Sequence, residues 1–333
     1  MQRVSTTTLI SLAFLAACSG GSTTFDGTNT TPPPAASFDI DSGNAMVVAG
    51  AAYGAVVTSG DLAGLAANTG LTADAGGSFA KPASDTQLGS ALDRFLQKVP
   101  LGPDVYDCLV PGGTVTFSAE IIDPLVLAAG MLSVGDTFLV EYVNCDDGAG
   151  EVIDGTIDLT VDAFDGNVLP PSAYDMTMVM NVTDLQVTTA TDVLTSNGDA
   201  TARLNSLQAP YVEASVSGNS MTMDTNSTSD TLSSYSTAQT LDAGVTPSPY
   251  TMSASGTLDS SRLSGVIRYT TPVTFEGFDT NYPHTGELFV EGENSSARLV
   301  ADNDVDVHID LDLDGNGTVD ETIVTTWADL EGM

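Results

Sequence analysis

Basic residues are what this chain has least of. Eight Lys and Arg stand against 44 Asp and Glu, a net charge of −36 over 333 residues. Neutralising phosphates takes Lys and Arg, so nucleic acid is excluded as a partner. Anionic lipid headgroups repel such a chain unless divalent cations bridge. Cations, neutral glycans, apolar molecules and basic protein surfaces remain as partners. The same charge also reads as plain solubility, or as the surface of a salt-adapted protein. Histidine is scarce too, with His284 and His308 only. There is no GxSxG and no HExxH, and no nucleophile, base and orienting group can be named together. Ser78-Phe79-Ala80-Lys81 fits an SxxK pattern, but the companion SDN and KTG motifs are missing and the match reads as chance. The expectation is a protein that is not an enzyme.

Long apolar runs are missing as well. The run Leu9 to Ala17 is well short of the ~20 residues a membrane-spanning helix needs. Behind Arg3, and ending in small residues, it makes a secretory signal peptide instead. Leu15-Ala16-Ala17-Cys18 resembles the bacterial lipobox. That resemblance implies removal of residues 1–17, acylation of Cys18 and a lipid anchor in the cell envelope. Ser19 in place of Asp points to the outer membrane, with the periplasmic or surface face left open. The competing reading is an ordinary cleaved signal peptide with a cysteine near the cut. Residues 18–38 follow as lipidated cysteine and flexible tether, rich in Gly, Ser, Thr and Pro.

Only three cysteines are present. With Cys18 lipidated, Cys108 and Cys145 remain in an oxidising compartment and should pair. Closing that loop stabilises a fold by roughly 4 kcal/mol on the chain-entropy model. A redox or metal pair is the rival, and neither a CxxC spacing nor a nearby histidine supports it.

Asp, Gly, Ser, Thr and Val dominate what is present, a mixture that favours strands joined by tight turns. Two N-terminal helices are expected first. Residues 42–58 carry Ala45, Met46, Val48, Ala49, Ala52, Tyr53, Val56 and Val57 on one face, with Ser42 able to cap. Residues 60–83 read as loop. A second helix carries Leu88, Leu92, Phe95, Leu96 and Val99 and stops at Pro100. Lys81, Arg94 and Lys98 cluster there, as a basic contact site or a solvated helix face. From about 105 onward the period is two. Strands are expected over 105–110, 114–121, 137–144, 153–162, 174–187, 199–206, 211–224, 231–238, 250–258, 263–270, 286–292, 296–302, 304–313 and 318–326. Short turns such as Asn197-Gly198 and Asp314-Gly315 separate them and imply antiparallel neighbours. The fold class is mainly β: a large curved antiparallel meander sheet or open half-barrel with two N-terminal helices. Closure into a barrel or folding into a sandwich stays open. The expected division is 1–17, 18–38, a helical part over 39–103 and a β domain over 104–333.

Cys108-x₃-Gly112-Gly113, Gly135-Asp136, Asn144-Cys145-Asp146 and Asp154-Gly155-Thr156 form one set of motifs. The tail adds Asp312-Leu-Asp314-Gly-Asn-Gly-Thr-Val-Asp320 and Thr326-Trp327-Ala-Asp-Leu330. Together they resemble a family of uncharacterised proteobacterial (Gram-negative) lipoproteins over about residues 105–330. The resemblance implies a lipoprotein with a disulfide and a large β-sheet, and brings no activity with it.

Two constellations could carry chemistry. In the first, Asp304, Asp306, His308, Asp310, Asp312 and Asp314 alternate with aliphatic residues, so strand geometry puts the acids on one face. Gly315-Asn316-Gly317, Asp320 and Glu321 follow. Ca²⁺ wants six to eight oxygens, and Asp310, Asp312, Asp314, Asn316, Asp320 and Glu321 could supply them. The spacing looks like the start of an EF-hand loop. Counting from Asp312 puts Ile323 at position twelve; counting from Asp310 puts Glu321 there. Flanking helices are missing in both registers, so a β-hairpin loop site, similar to those of integrin-type propeller blades, is the nearer analogy. The alternative is a solvated acidic face with an Asp-Gly turn and His308 as a surface residue. In the second constellation, Met176, Met178 and Met180 share one strand face, with Met221, Met223 and Met252 on neighbouring strands. They read as core packing, as an apolar pocket for a lipid or other hydrophobic molecule, or as Cu(I) ligands.

The functional expectation is a non-enzymatic cell-envelope lipoprotein, a binding or structural module holding an apolar ligand in a β half-barrel or meeting an envelope protein. A calcium-stabilised surface or adhesion module is the alternative.

Overall fold

The computed structural model describes residues 35–67, 103–108, 110–146, 152–169, 173–190, 193–278 and 281–331. All of them belong to the second of two compact units, Pro33–Met333. The signal peptide, Cys18, the Ser78-x-x-Lys81 match, the expected helix before Pro100 and its basic residues lie outside the described residues. The expected tether ends earlier than residue 38. Ser37 exchanges hydrogen bonds with Val266, and Phe38 O accepts from Glu293 N.

Fourteen strands pair strictly in chain order, each antiparallel to the one before, in one open sheet with β1 and β14 at its ends. They are β1 Asp104–Asp107, β2 Thr114–Glu120, β3 Thr137–Asp146, β4 Val152–Asn167, β5 Ala173–Thr188, β6 Val193–Asn205 and β7 Tyr211–Asp224. β8 Ser229–Asp242, β9 Pro249–Ser260, β10 Val266–Phe278, β11 Thr285–Glu291, β12 Ser296–Ala301, β13 Asp306–Asp312 and β14 Glu321–Thr326 follow. The sheet is therefore neither a closed barrel nor a two-sheet sandwich. Helix α1 spans Ala45–Ala67, α2 Pro124–Ala128 and α3 Trp327–Glu331.

α1 joins strands far apart in the sheet. It packs against β6 to β9, β11 to β13 and α3. Strands β6 to β13 laid flat would span roughly 34 Å at about 4.8 Å per spacing, and a 23-residue helix is itself about 34 Å long. The sequence of α1 suits that position. Ala45, Val48, Ala49, Ala51, Ala52, Ala55, Val56 and Ser59 are all buried and share one broad face, while Met46, Val47, Gly50, Gly54, Val57 and Thr58 form a half-buried opposite face. Small side chains let the strands approach closely. The helix begins at Asp41 and Asn44, not at Ser42: Asp41 Oδ1 accepts from the amides of Gly43 and Asn44, and Asn44 Oδ1 accepts from Asp41 N. It also runs on through Ala67, past the expected stop. Burial of Ser59 against Thr237 holds the chain helical where Ser59-Gly60 alone would favour a break.

The predicted disulfide is present. Cys108, just after β1, bonds Cys145 in β3 with Cα atoms 5.4 Å apart, clamping the β1 edge across β2. Beside it, Gly113 leaves no room for a side chain, because a Cβ there would lie 1.8 Å from Asn144 O and 2.9 Å from Cys145 Cα. Gly113→Ala is expected to cost about 1–3 kcal/mol through forced backbone shifts. A urea midpoint unchanged from the parent protein would show that the β2–β3 approach is looser than described.

Candidate metal centre

The acidic row is real and lies on the outer face of the sheet. Along β13, Val307, Ile309 and Leu311 are fully buried while Asp306, His308, Asp310 and Asp312 face outward. His308 is a surface residue held in place, with Nδ1 2.9 Å from both oxygens of Asp302 and Nε2 3.7 Å from Asp310. Nothing in the spacing of the acids singled out Asp302; the tight β12–β13 turn brings it back over the strand.

The loop between β13 and β14 then folds onto its own carboxylates. Gly315 and Gly317 have φ of 70° and 83°, a left-handed conformation that glycine takes without strain. That turn aims backbone amides inward. Asp312 accepts from Asn316 N at 3.1 Å and from Gly317 N at 2.7 Å, Asp314 from Asn316 N at 3.2 Å, and Asp320 from Leu313 N at 2.8 Å. The result is that one carboxylate oxygen from each of Asp312, Asp314 and Asp320 lies within 4.8 Å of the others.

The other predicted ligands are not part of this group. Asp310 accepts from Thr322 Oγ1 at 2.6 Å. Asn316 turns its carbonyl to Thr318. Glu321 pairs with Leu311 across the hairpin, whereas Asp310 pairs with Thr322. Paired residues share a face, so Glu321 sits on the opposite side from Asp310, and the register that would use both as ligands is not built.

Partial desolvation in the loop pushes the Asp312 carboxyl upward, but the amides of Gly317, Asn316, Gly315 and Asp314 together outweigh it. They hold the group below the usual carboxylate range. A depressed folded pKa means the stabilisation is complete above the ordinary carboxylate pKa of about 3.9 and is lost as pH falls through the lower folded value. At neutral pH the loop therefore presents Asp312 as a charged oxygen donor. An open groove of about 730 Å³ runs beside it, lined by Phe289, Asn294, Arg298, Asp310, Asp312 and Asp314 among others, so a hydrated ion can reach the carboxylates.

Of the described arginines only Arg298 borders this surface, opposite Asp310 across β12 and β13. Arg203 pairs with Asp175, Arg262 with Asp230, Arg268 with Glu291 and Arg298 with Glu287. No Lys or Arg follows Arg298 in the chain.

The methionines lie in the core. Met176, Met178, Met180, Met221 and Met252 are each 5% exposed or less, and Met223 packs against them partly buried. Small partners accommodate them: Met178 stands beside Ala202 and Met180 beside Ala200. No family model, curated protein or solved structure matches the chain.

Proposed function

We propose that the protein is a lipid-anchored module of the cell envelope, without an enzymatic role, whose C-terminal hairpin holds a hard divalent cation. Ca²⁺ suits it best. The observation that carries this reading is the convergence of Asp312, Asp314 and Asp320 within 4.8 Å on a loop whose backbone is already turned to support them. Three carboxylates leave the rest of a six- to eight-oxygen shell to backbone carbonyls and water, as is common for Ca²⁺. The cation would lock β14 onto β13 and relieve the repulsion among the acids. In this reading the methionine strands are dry packing.

The test is thermal unfolding in EDTA and in millimolar Ca²⁺. At a hundredfold excess over Kd, binding adds about 2.7 kcal/mol, a rise of several degrees in Tm. The rise should vanish in Asp312→Ala and Asp314→Ala and persist in Glu321→Ala. A Tm that Ca²⁺ does not move, or that it moves equally in all three variants, removes the proposal.

A further inference from the structure

An open sheet has two edges, and the two here differ. β1 is four residues long and carries an Asp at each end. Short, charged edge strands resist pairing. β14 has six residues, Glu-Thr-Ile-Val-Thr-Thr, β-branched from Thr322 to Thr326, with no Pro, no Lys and no register shift against β13. Its one charged residue, Glu321, stands at the end, so the run Thr322 to Thr326 is uncharged.

Strand geometry decides which of its backbone groups are free. Trp327 N donates to Val305 O, so that pair is hydrogen-bonded. Alternation in an antiparallel ladder then turns Thr325, Ile323 and Glu321 toward β13, and turns the N–H and C=O of Thr326, Val324 and Thr322 away from it. The Val324 side chain is 76% exposed on the outer face, and among the described strands β14 pairs with β13 alone.

Charge selects the partner. From Leu299 to Glu331 the chain carries ten Asp and Glu and no Lys or Arg. Asp320 and Glu321 stand at one end of β14 and Asp329 just beyond the other. A second copy would bring the same acids and its own net charge of −36 against them. We propose that the free edge of β14 docks an extended basic segment of another protein, added to the sheet as a further strand. Main-chain bonds to Thr322, Val324 and Thr326 supply the pairing, an apolar residue covers Val324, and Lys or Arg near the segment's ends meet the flanking acids. This does not depend on a bound cation.

The test uses the full-length protein and a labelled peptide of alternating Lys and Val, with a Glu and Val peptide of the same pattern as control. Val324→Pro deletes an outward N–H and leaves the bonds to β13 intact. Val324→Lys keeps the N–H and repels a basic strand. Each should weaken the Lys peptide about tenfold at ~0.15 M salt, and the Glu peptide should not bind. The Lys peptide should also protect the Thr322, Val324 and Thr326 amides from hydrogen exchange in the unsubstituted protein, a readout that needs no variant to fold. The proposal is overturned by absence of binding, by equal binding in both variants, by protection elsewhere, or by a dimer of the protein itself that Val324→Pro abolishes.

Discussion

Trp327→Ala is expected to lower the stability of the fold by about 3–5 kcal/mol, the range for emptying a large buried aromatic site. Typical domains are stable by only 5–15 kcal/mol, so this one change removes a large share. Trp327 is the only tryptophan in the chain and is fully buried. It joins parts of the fold that are far apart in sequence. Its ring lies 4.6 Å from Tyr53 of α1, 6.0 Å from Phe275 of β10 and 5.9 Å from Tyr282 in the following loop. Its Nε1 donates to Asn303 O at 3.2 Å, so truncation also leaves a carbonyl without its donor. Phenylalanine at this position restores most of the packing and should recover more than half of the loss. The measurement is urea unfolding followed by far-ultraviolet circular dichroism, since the variant has no tryptophan to report. A loss under 1 kcal/mol would mean that the aromatic cluster does not hold α1 to the end of the sheet.

The second large effect concerns the opposite end. Replacing Cys108 and Cys145 together by alanine should cost about 4 kcal/mol, the chain-entropy value for a loop closed over 37 residues. Both cysteines are buried, at 8% and 0% exposure, so alanine in both places avoids burying a lone thiol but still removes the cross-link. The damage should be local first. β1 is a four-residue edge strand with Val105 62% exposed, and it has little apolar contact of its own to keep it paired. Hydrogen exchange in the double variant should therefore accelerate along β1 and β2 before it does in β6 to β9. If exchange and the urea midpoint are both unchanged, β1 is held by its ladder alone.

The sheet was legible because its signal is simple. Alternation of apolar and polar residues, cut by turns such as Gly135-Asp136 and Asp314-Gly315, locates all fourteen strands near their observed positions, whereas Asn197-Gly198 and Gly218-Asn219, expected as turns, lie within β6 and β7. The errors fall where alternation breaks. β10 runs on to Phe278 instead of ending near Thr270, and its pairing with β9 and β11 slips just after Thr270. The irregularity leaves 272–274 exposed between the inward pairs Ile267, Tyr269 and Phe275, Gly277, so the period is interrupted while the strand continues on the same face. β6 starts at Val193, earlier than expected, and its pairing slips between Gly198 and Thr201. The α1 helix and its buried face were legible, but its C-terminal extent was not. One-face periodicity matches the buried set Ala45, Val48, Ala49, Ala52, Tyr53 and Val56, but it could not show that the chain stays helical past residue 58. At the acidic hairpin, Asp312, Asp314 and Asp320 were legible from spacing. The exclusion of Glu321 was not, because it depends on hairpin register, and one residue of shift changes the face. Trp327 stood out only as part of a motif; its role as the link between α1 and β10 comes from tertiary packing alone.

The pairing of every strand with its predecessor has a consequence for the order in which the molecule can form. A meander closes only short loops, so each new strand can add to a ladder already made as the chain emerges. α1 has no such option. It is synthesised before the sheet, yet its partners are β6 to β13 and, last of all, α3. Until then an almost wholly apolar helix has nothing to bury it. The early chain is thus the part most in need of a holding chaperone, and truncation near the C-terminus should harm folding of the N-terminal helix more than its distance in sequence suggests.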